Sequence, residues 1–143
     1  MDLAPPDPDP VRAEGGDDQD MAVFARDIDT VGAARRWLAA FLRGRPLTEA
    51  QRQDAELVIS ELVTNALRHG LGDVVVRTSL ADGDALQVSV TDSGPELPAL
   101  QPVDPGRIGG VGLRIVDRLA SEWGVASFPG GKTVWAVLAR GSG

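Results

Sequence analysis

Between Ala55 and Leu67 the apolar residues Ala55, Val58, Ile59, Leu62, Val63, Ala66 and Leu67 recur at intervals of three and four. That is the period of an α-helix with one wide buried stripe, and such a stripe must lie along an equally apolar partner. Thr48 opens the helix, with Gln51 spaced for a capping box. Gly70 and Gly72 close it, Gly70 being suited to a left-handed C-cap. His69 falls in the last turn, where a helix C-terminus favours positive charge; that structural role competes with a ligand role. The other face is interrupted by Glu61 and Asn65, four residues apart and therefore side by side. Asn is a mediocre helix former, so its place in so apolar a run asks for a reason outside the helix.

The rest of the chain must supply the surface that this helix covers. Met21–Arg26 is a short apolar run that reads as an edge strand. Val31, Ala34, Trp37, Leu38 and Phe41 predict a helix from Thr30 to about Leu42, with Thr30 as N-cap and Gly44 and Pro46 ending it. Val74–Leu80 and Leu86–Thr91 are β-branched runs around Asp82-Gly83, a hairpin signal. Ser93 to Gly110 is a long Pro- and Gly-rich loop, a length that suits a lid over a ligand as well as a surface loop without a role. Val111–Leu119 reads as a helix, Glu122–Phe128 as a strand, Pro129–Lys132 as a turn and Thr133–Leu138 as the last strand. The order β-α-α-β-β-loop-α-β-β predicts an α/β (α+β) two-layer sandwich, its sheet mixed but mainly antiparallel, with helices on one face.

Charge places this fold at residues 21–140. Residues 1–20 hold seven acids against one base, a net of −6 out of −7 for the whole chain. With four prolines and a Gly15-Gly16 pair they read as a disordered, solvated tail. The remaining domain is nearly neutral and shows no electrostatic footprint for nucleic acid. The absence of cysteine excludes disulfides, thiol chemistry and Cys-based zinc sites. One histidine argues against a His-rich metal centre. No run is apolar enough to span a membrane and no signal peptide is visible, so a cytoplasmic protein is expected.

Three separated pieces carry candidate chemistry. Asn65 offers a neutral oxygen that suits Mg²⁺ when phosphates and water complete the shell; Glu61 is placed to accept a proton from an attacking hydroxyl. A solvated helix face would give the same spacing. Asp92-Ser93-Gly94 ends a strand, where a carboxylate can accept from an exocyclic amine and a glycine lets a ring approach; the same residues also mark an ordinary turn. Gly109-Gly110-Val111-Gly112-Leu113 opens a helix, where closely spaced glycines turn N–H groups toward phosphate. It is neither a G-x-x-x-x-G-K-S/T loop nor a dinucleotide fingerprint, since no parallel βαβ unit surrounds it.

In this order the pieces resemble the GHKL (Bergerat-fold) ATP-binding superfamily, with Glu61 to Asn65 as the N-box, Asp92-Ser93-Gly94 as the first glycine box and Gly110-Val111-Gly112-Leu113 as the second. Gly131-Lys132-Thr133-Val134-Trp135 is similar to the family's closing strand. Within the superfamily the chain looks most like bacterial anti-sigma factor serine/threonine-protein kinases. The resemblance implies ATP and Mg²⁺ as cofactors, Asn65 as metal ligand and Glu61 as general base. It further implies Asp92 and Gly94 at adenine, Thr133 supporting adenine through water, and Gly109, Gly110, Val111, Gly112 and Leu113 at the phosphates. His69 and Arg107 complete the expected ATP-binding set, Arg107 reaching a terminal phosphate from the lid. Pro95 and Glu96 follow Gly94, so the second glycine of the usual D-x-G-x-G is missing.

The resemblance implies a kinase for a STAS-type anti-sigma antagonist that also binds a sigma factor, with dimerisation expected from the resemblance alone. A regulatory module acting by contact without phosphotransfer is the alternative. A histidine kinase catalytic domain is a third reading, disfavoured because no helix pair with a phosphoacceptor histidine precedes the N-box and His69 lies inside it.

Overall fold

A computed structural model describes residues 18–80, 85–94 and 110–139, with the backbone alone for 110–112. Its elements run β1(Gln19–Phe24), α1(Thr30–Leu42), α2(Glu49–His69), β2(Val74–Leu80), β3(Leu86–Asp92), α3(Gly110–Leu119), β4(Glu122–Phe128) and β5(Gly131–Leu138). The strands form one sheet in the order β1-β2-β3-β5-β4. Every pairing in it is antiparallel, so the expected mixture is not present among the described residues. The expected hairpin turn Asp82-Gly83 and the loop from Pro95 to Gly109, with Arg107, lie outside the described residues.

Alternation decides which face of the sheet the helices cover. Val74, Val76 and Thr78 on β2, Leu86, Val88, Val90 and Asp92 on β3, and Lys132, Val134, Ala136 and Leu138 on β5 are buried, while the residues between them are more open. Period-2 strands thus present one apolar face, and Val58, Ile59, Leu62 and Val63 of α2 join the same core. α2 packs against α1, α3 and strands β2, β3 and β5, so the stripe read from the sequence lies at the centre of the two-layer sandwich.

Local signals explain where the elements begin and end. Thr48 Oγ1 accepts from the Gln51 amide at 3.0 Å and the Gln51 side chain accepts from the Thr48 amide at 2.7 Å, completing the capping box. Thr30 is the first helical residue rather than the cap of α1: its hydroxyl donates to the Ala25 carbonyl and accepts from the Asp27 amide. A buried Thr hydroxyl here closes the β1–α1 turn instead. Gly70 is extended at φ −113°, and the left-handed residue is Gly72 at φ +74°. The end of α2 is tied instead by Arg26, whose guanidinium donates to the carbonyls of Ala66, Leu67 and Gly72. A cation at the last carbonyls satisfies groups that a helix leaves unpaired. β1 starts at Gln19, so the ordered fold reaches two residues into the stretch read as tail.

Candidate functional site

The end of α2, the end of β3 and the start of β5 meet at one point, and Asp92 is at its centre. Asp92 closes β3 on the helix-covered face, opposite Lys132 of β5. Its Oδ1 accepts from the Gly94 amide at 2.7 Å, which folds Asp92-Ser93-Gly94 into a tight turn. The Ser93 amide donates to the Leu71 carbonyl at 2.9 Å and draws the α2–β2 loop over the strand end. Gly70 then lies against the carboxyl group: a Cβ there would stand 2.3 Å from Asp92 Cγ. A Cβ on Gly94 would stand 2.7 Å from Gly70 Cα, and one on Gly131 2.3 Å from the Asp92 carbonyl oxygen. Glycine is required at these three positions by close approach.

Lys132 Nζ donates to both carboxylate oxygens of Asp92, at 3.0 and 2.8 Å. The side chains are 0 % and 2 % exposed, so this is a fully desolvated ion pair. Such a pair is tolerated only when each charge is matched by well-aligned donors and acceptors.

Asn65 and His69 lie one turn apart on α2, and His69 feels the charges of both Asp92 and Lys132. Asn65 is 8 % exposed, and its Nδ2 has no hydrogen-bond partner among the described residues; neither has His69 Nε2. Neither end of the Asn65 side-chain amide has a hydrogen-bond partner among the described residues. Buried unpartnered polar groups are rare and cost free energy, which points to a use outside the resting fold. Burial holds the His69 pKa below the usual imidazole value. Arg68 and Lys132 push the same way, and the Asp92 charge opposes them in part. The favourable helix C-terminus read from the sequence is outweighed, and His69 is neutral at pH 7.

Glu61 is half-buried, one turn before Asn65, and its side chain makes no hydrogen bond or ion pair among the described residues. Gly110, Val111 and Gly112 form the first turn of α3, which packs on α2. Leu113 is half-buried against the core and serves packing there. Gly109 and Arg107 lie outside the described residues.

Thr133 is not brought to Asp92. It pairs with Thr91 across β3 and β5, and the two hydroxyls bond at 2.7 Å on the sheet face away from the helices. A strand reverses its side chains at each residue, so Thr133 and Lys132 lie on opposite faces of β5. Lys132 faces the carboxylate instead. The signal was in the alternation: Lys132 shares its parity with Val134, Ala136 and Leu138, and it is the only lysine of the chain.

A family model for a histidine kinase-like ATPase domain matches residues 24–138. The chain belongs to that family, within the GHKL superfamily. It is 37 % identical over 73 residues, 48 % of this chain and 20 % of the relative, to blue-light-activated histidine kinase 2 of Erythrobacter litoralis (strain HTCC2594). The solved RsbU and RsbW domains of Rv1364c from Mycobacterium tuberculosis superpose with TM-score 0.69 at 23 % identity, over 85 % of this chain and 32 % of that one. The histidine kinase domain from Erythrobacter litoralis EL346 superposes with TM-score 0.54 at 26 % identity, over 77 % and 61 %. The chain therefore spans a fifth of the curated relative and about a third of the first structure. Among the described residues no helix is long and apolar enough to cross a membrane.

Proposed function

We propose that this domain binds ATP with Mg²⁺ between α2, α3 and the β3–β5 strand ends, and transfers phosphate to a serine or threonine hydroxyl of a STAS-type anti-sigma antagonist while holding a sigma factor. The observation that carries the nucleotide part is that two of the three unpartnered buried side-chain atoms among the described residues, Asn65 Nδ2 and His69 Nε2, lie one turn apart on α2, with His69 within reach of the Asp92 charge. The donor set fits the cofactor: one neutral amide oxygen from the protein suits a cation whose other ligands are phosphate and water. ATP with Mg²⁺ supplies the phosphoryl group and spreads its charge over the metal. Asn65 orients the metal end. Gly110 and Gly112 open the helix start at which backbone amides meet phosphate. Asp92 holds the base through its carboxylate. Glu61 takes the acceptor hydroxyl's proton, being half-buried and without a competing partner among the described residues. The substrate and partner assignment rests on the resemblance of the boxes to anti-sigma factor kinases.

The Lys132–Asp92 ion pair also favours a second reading, in which the domain acts on its partners by contact and nucleotide only modulates it. Replacing Glu61 with Ala separates the two. In a kinase, phosphotransfer to the antagonist falls by at least a hundredfold, about the contribution of a positioned base, while ATP binding measured by calorimetry stays within a few-fold. Transfer by Glu61→Ala at the wild-type rate rejects its role, and wild-type binding of ATP without any transfer supports the contact module.

A further inference from the structure

The Lys132–Asp92 pair occupies the carboxylate that the proposed function assigns to the base. Asp92 accepts three hydrogen bonds, one from the Gly94 amide and two from Lys132 Nζ, and the two paired side chains are closed to solvent. A nucleobase amine reaches Asp92 only if the ammonium moves. Gly70 and Gly94 stand against the carboxylate closely enough that a Cβ on either would crowd it, and the Gly94 amide fixes its Oδ1. Composition points the same way: every other strongly basic side chain in this sequence is arginine, and the single lysine is in the core at this carboxylate. A compact ammonium with three freely turning donors puts N–H groups on the carboxylate where the exocyclic amine of a base would otherwise donate.

We infer that Lys132 is a built-in competitor for the base: its ammonium stands in for the exocyclic amine in the resting protein, and nucleotide enters by displacing it from Asp92. This rests on the nucleotide-binding function proposed above. Lys132 is then a residue that sets nucleotide affinity rather than one that carries out transfer. It keeps the carboxylate satisfied when no nucleotide is bound, and it makes occupancy depend on high nucleotide concentration. The rival arrangement is that Lys132 stays on Asp92 and gives its third proton to an acceptor on the base; no third acceptor for Nζ is present among the described residues.

Two measurements on the full chain test the inference. The first is calorimetry of ATP with Mg²⁺ against wild type and Lys132→Thr, with the fold of the variant checked by circular dichroism. Displacement predicts at least tenfold tighter binding by Lys132→Thr; equal or weaker binding overturns the inference and supports the rival. The second needs no variant, because one lysine gives one side-chain ¹⁵Nζ signal. Displacement predicts that saturating ATP with Mg²⁺ moves this signal and that inorganic tripolyphosphate, which lacks a base, leaves it in place. An unmoved signal with ATP bound overturns the displacement while leaving the proposed function standing. Absence of any ATP binding by both proteins removes the proposed function, and the inference with it.

Discussion

Replacing Gly70 with Ala tests the packing of the site with an unusual sign argument. Gly70 has φ −113° and ψ −172°, an extended conformation that any residue adopts. On backbone grounds alone the substitution would stabilise by about 0.4–1 kcal/mol, through the reduced entropy of the unfolded chain. The structure predicts the opposite. The new Cβ would stand 2.3, 2.4 and 2.6 Å from Asp92 Cγ, Oδ1 and Oδ2, roughly 1 Å inside ordinary contact. The carboxylate is held by two bonds from Lys132 and one from Gly94, so it cannot swing aside without loosening a buried charge. Overpacking of this kind costs about 1–3 kcal/mol. Disturbing a desolvated ion pair adds to it, with about 3–5 kcal/mol as the limit for complete loss of one partner. A net destabilisation of about 3 kcal/mol is expected from these terms.

Urea unfolding at pH 7.5 measures it, provided the m-value is unchanged. Placing Gly70→Ala in an Asp92→Ala, Lys132→Met background isolates the cause, because the carboxylate and its partner are then gone. There the substitution is expected to cost less than about 1 kcal/mol, and the difference between backgrounds is the interaction energy of the contact. A neutral or stabilising Gly70→Ala in the otherwise wild-type chain refutes the close approach of the α2–β2 loop to Asp92. An equal cost in both backgrounds assigns the effect to something other than the carboxylate.

Two further outcomes follow from the same joint. Arg26→Met removes the guanidinium from the carbonyls of Ala66, Leu67 and Gly72; about 1–2 kcal/mol of stability should be lost, and hydrogen exchange should quicken first in the last turn of α2. His69 has a folded-state pKa below its unfolded value, chiefly through desolvation. Its contribution is complete above pH 6.5 or so and declines as pH falls from there toward the folded pKa, because the unfolded state then binds the proton first. The slope from this group cannot exceed about 1.4 kcal/mol per pH unit, and His69→Gln should remove it from urea midpoints measured between pH 8 and 5; an unchanged slope rejects the buried neutral imidazole.

What the sequence revealed and what it concealed divide along physical lines. The stripe on α2, the Thr48–Gln51 capping box and the β2–β3 pair are local or periodic signals, and each was legible because it repeats or closes within a few residues. Thr30 and Gly70 were legible as special but not in their roles. Thr30 is claimed by the Ala25 carbonyl and Asp27 amide, partners offered by the β1 turn, and Gly70 by a carboxylate 22 residues further along the chain. Arg26 carried no local signal at all, since its carbonyl partners are some 40 residues away.

The facing of Thr133 away from Asp92 shows why a site needs more than a motif. Gly131, Lys132 and Thr133 are consecutive, and a motif locates them equally well. The sheet then sends Lys132 to Asp92 and Thr133 to Thr91 on the opposite face. Parity is set by which residues of β5 meet the helices, and Val134, Ala136 and Leu138 settle that unambiguously. A lysine of the same parity must either reach solvent or find a carboxylate in the core, because its charge is too costly to bury alone. The only acid opposite it in the β3–β5 register is Asp92. Strand parity and the cost of a buried charge together would have predicted the ion pair from the sequence, once Asp92 and Lys132 were recognised as facing strand ends.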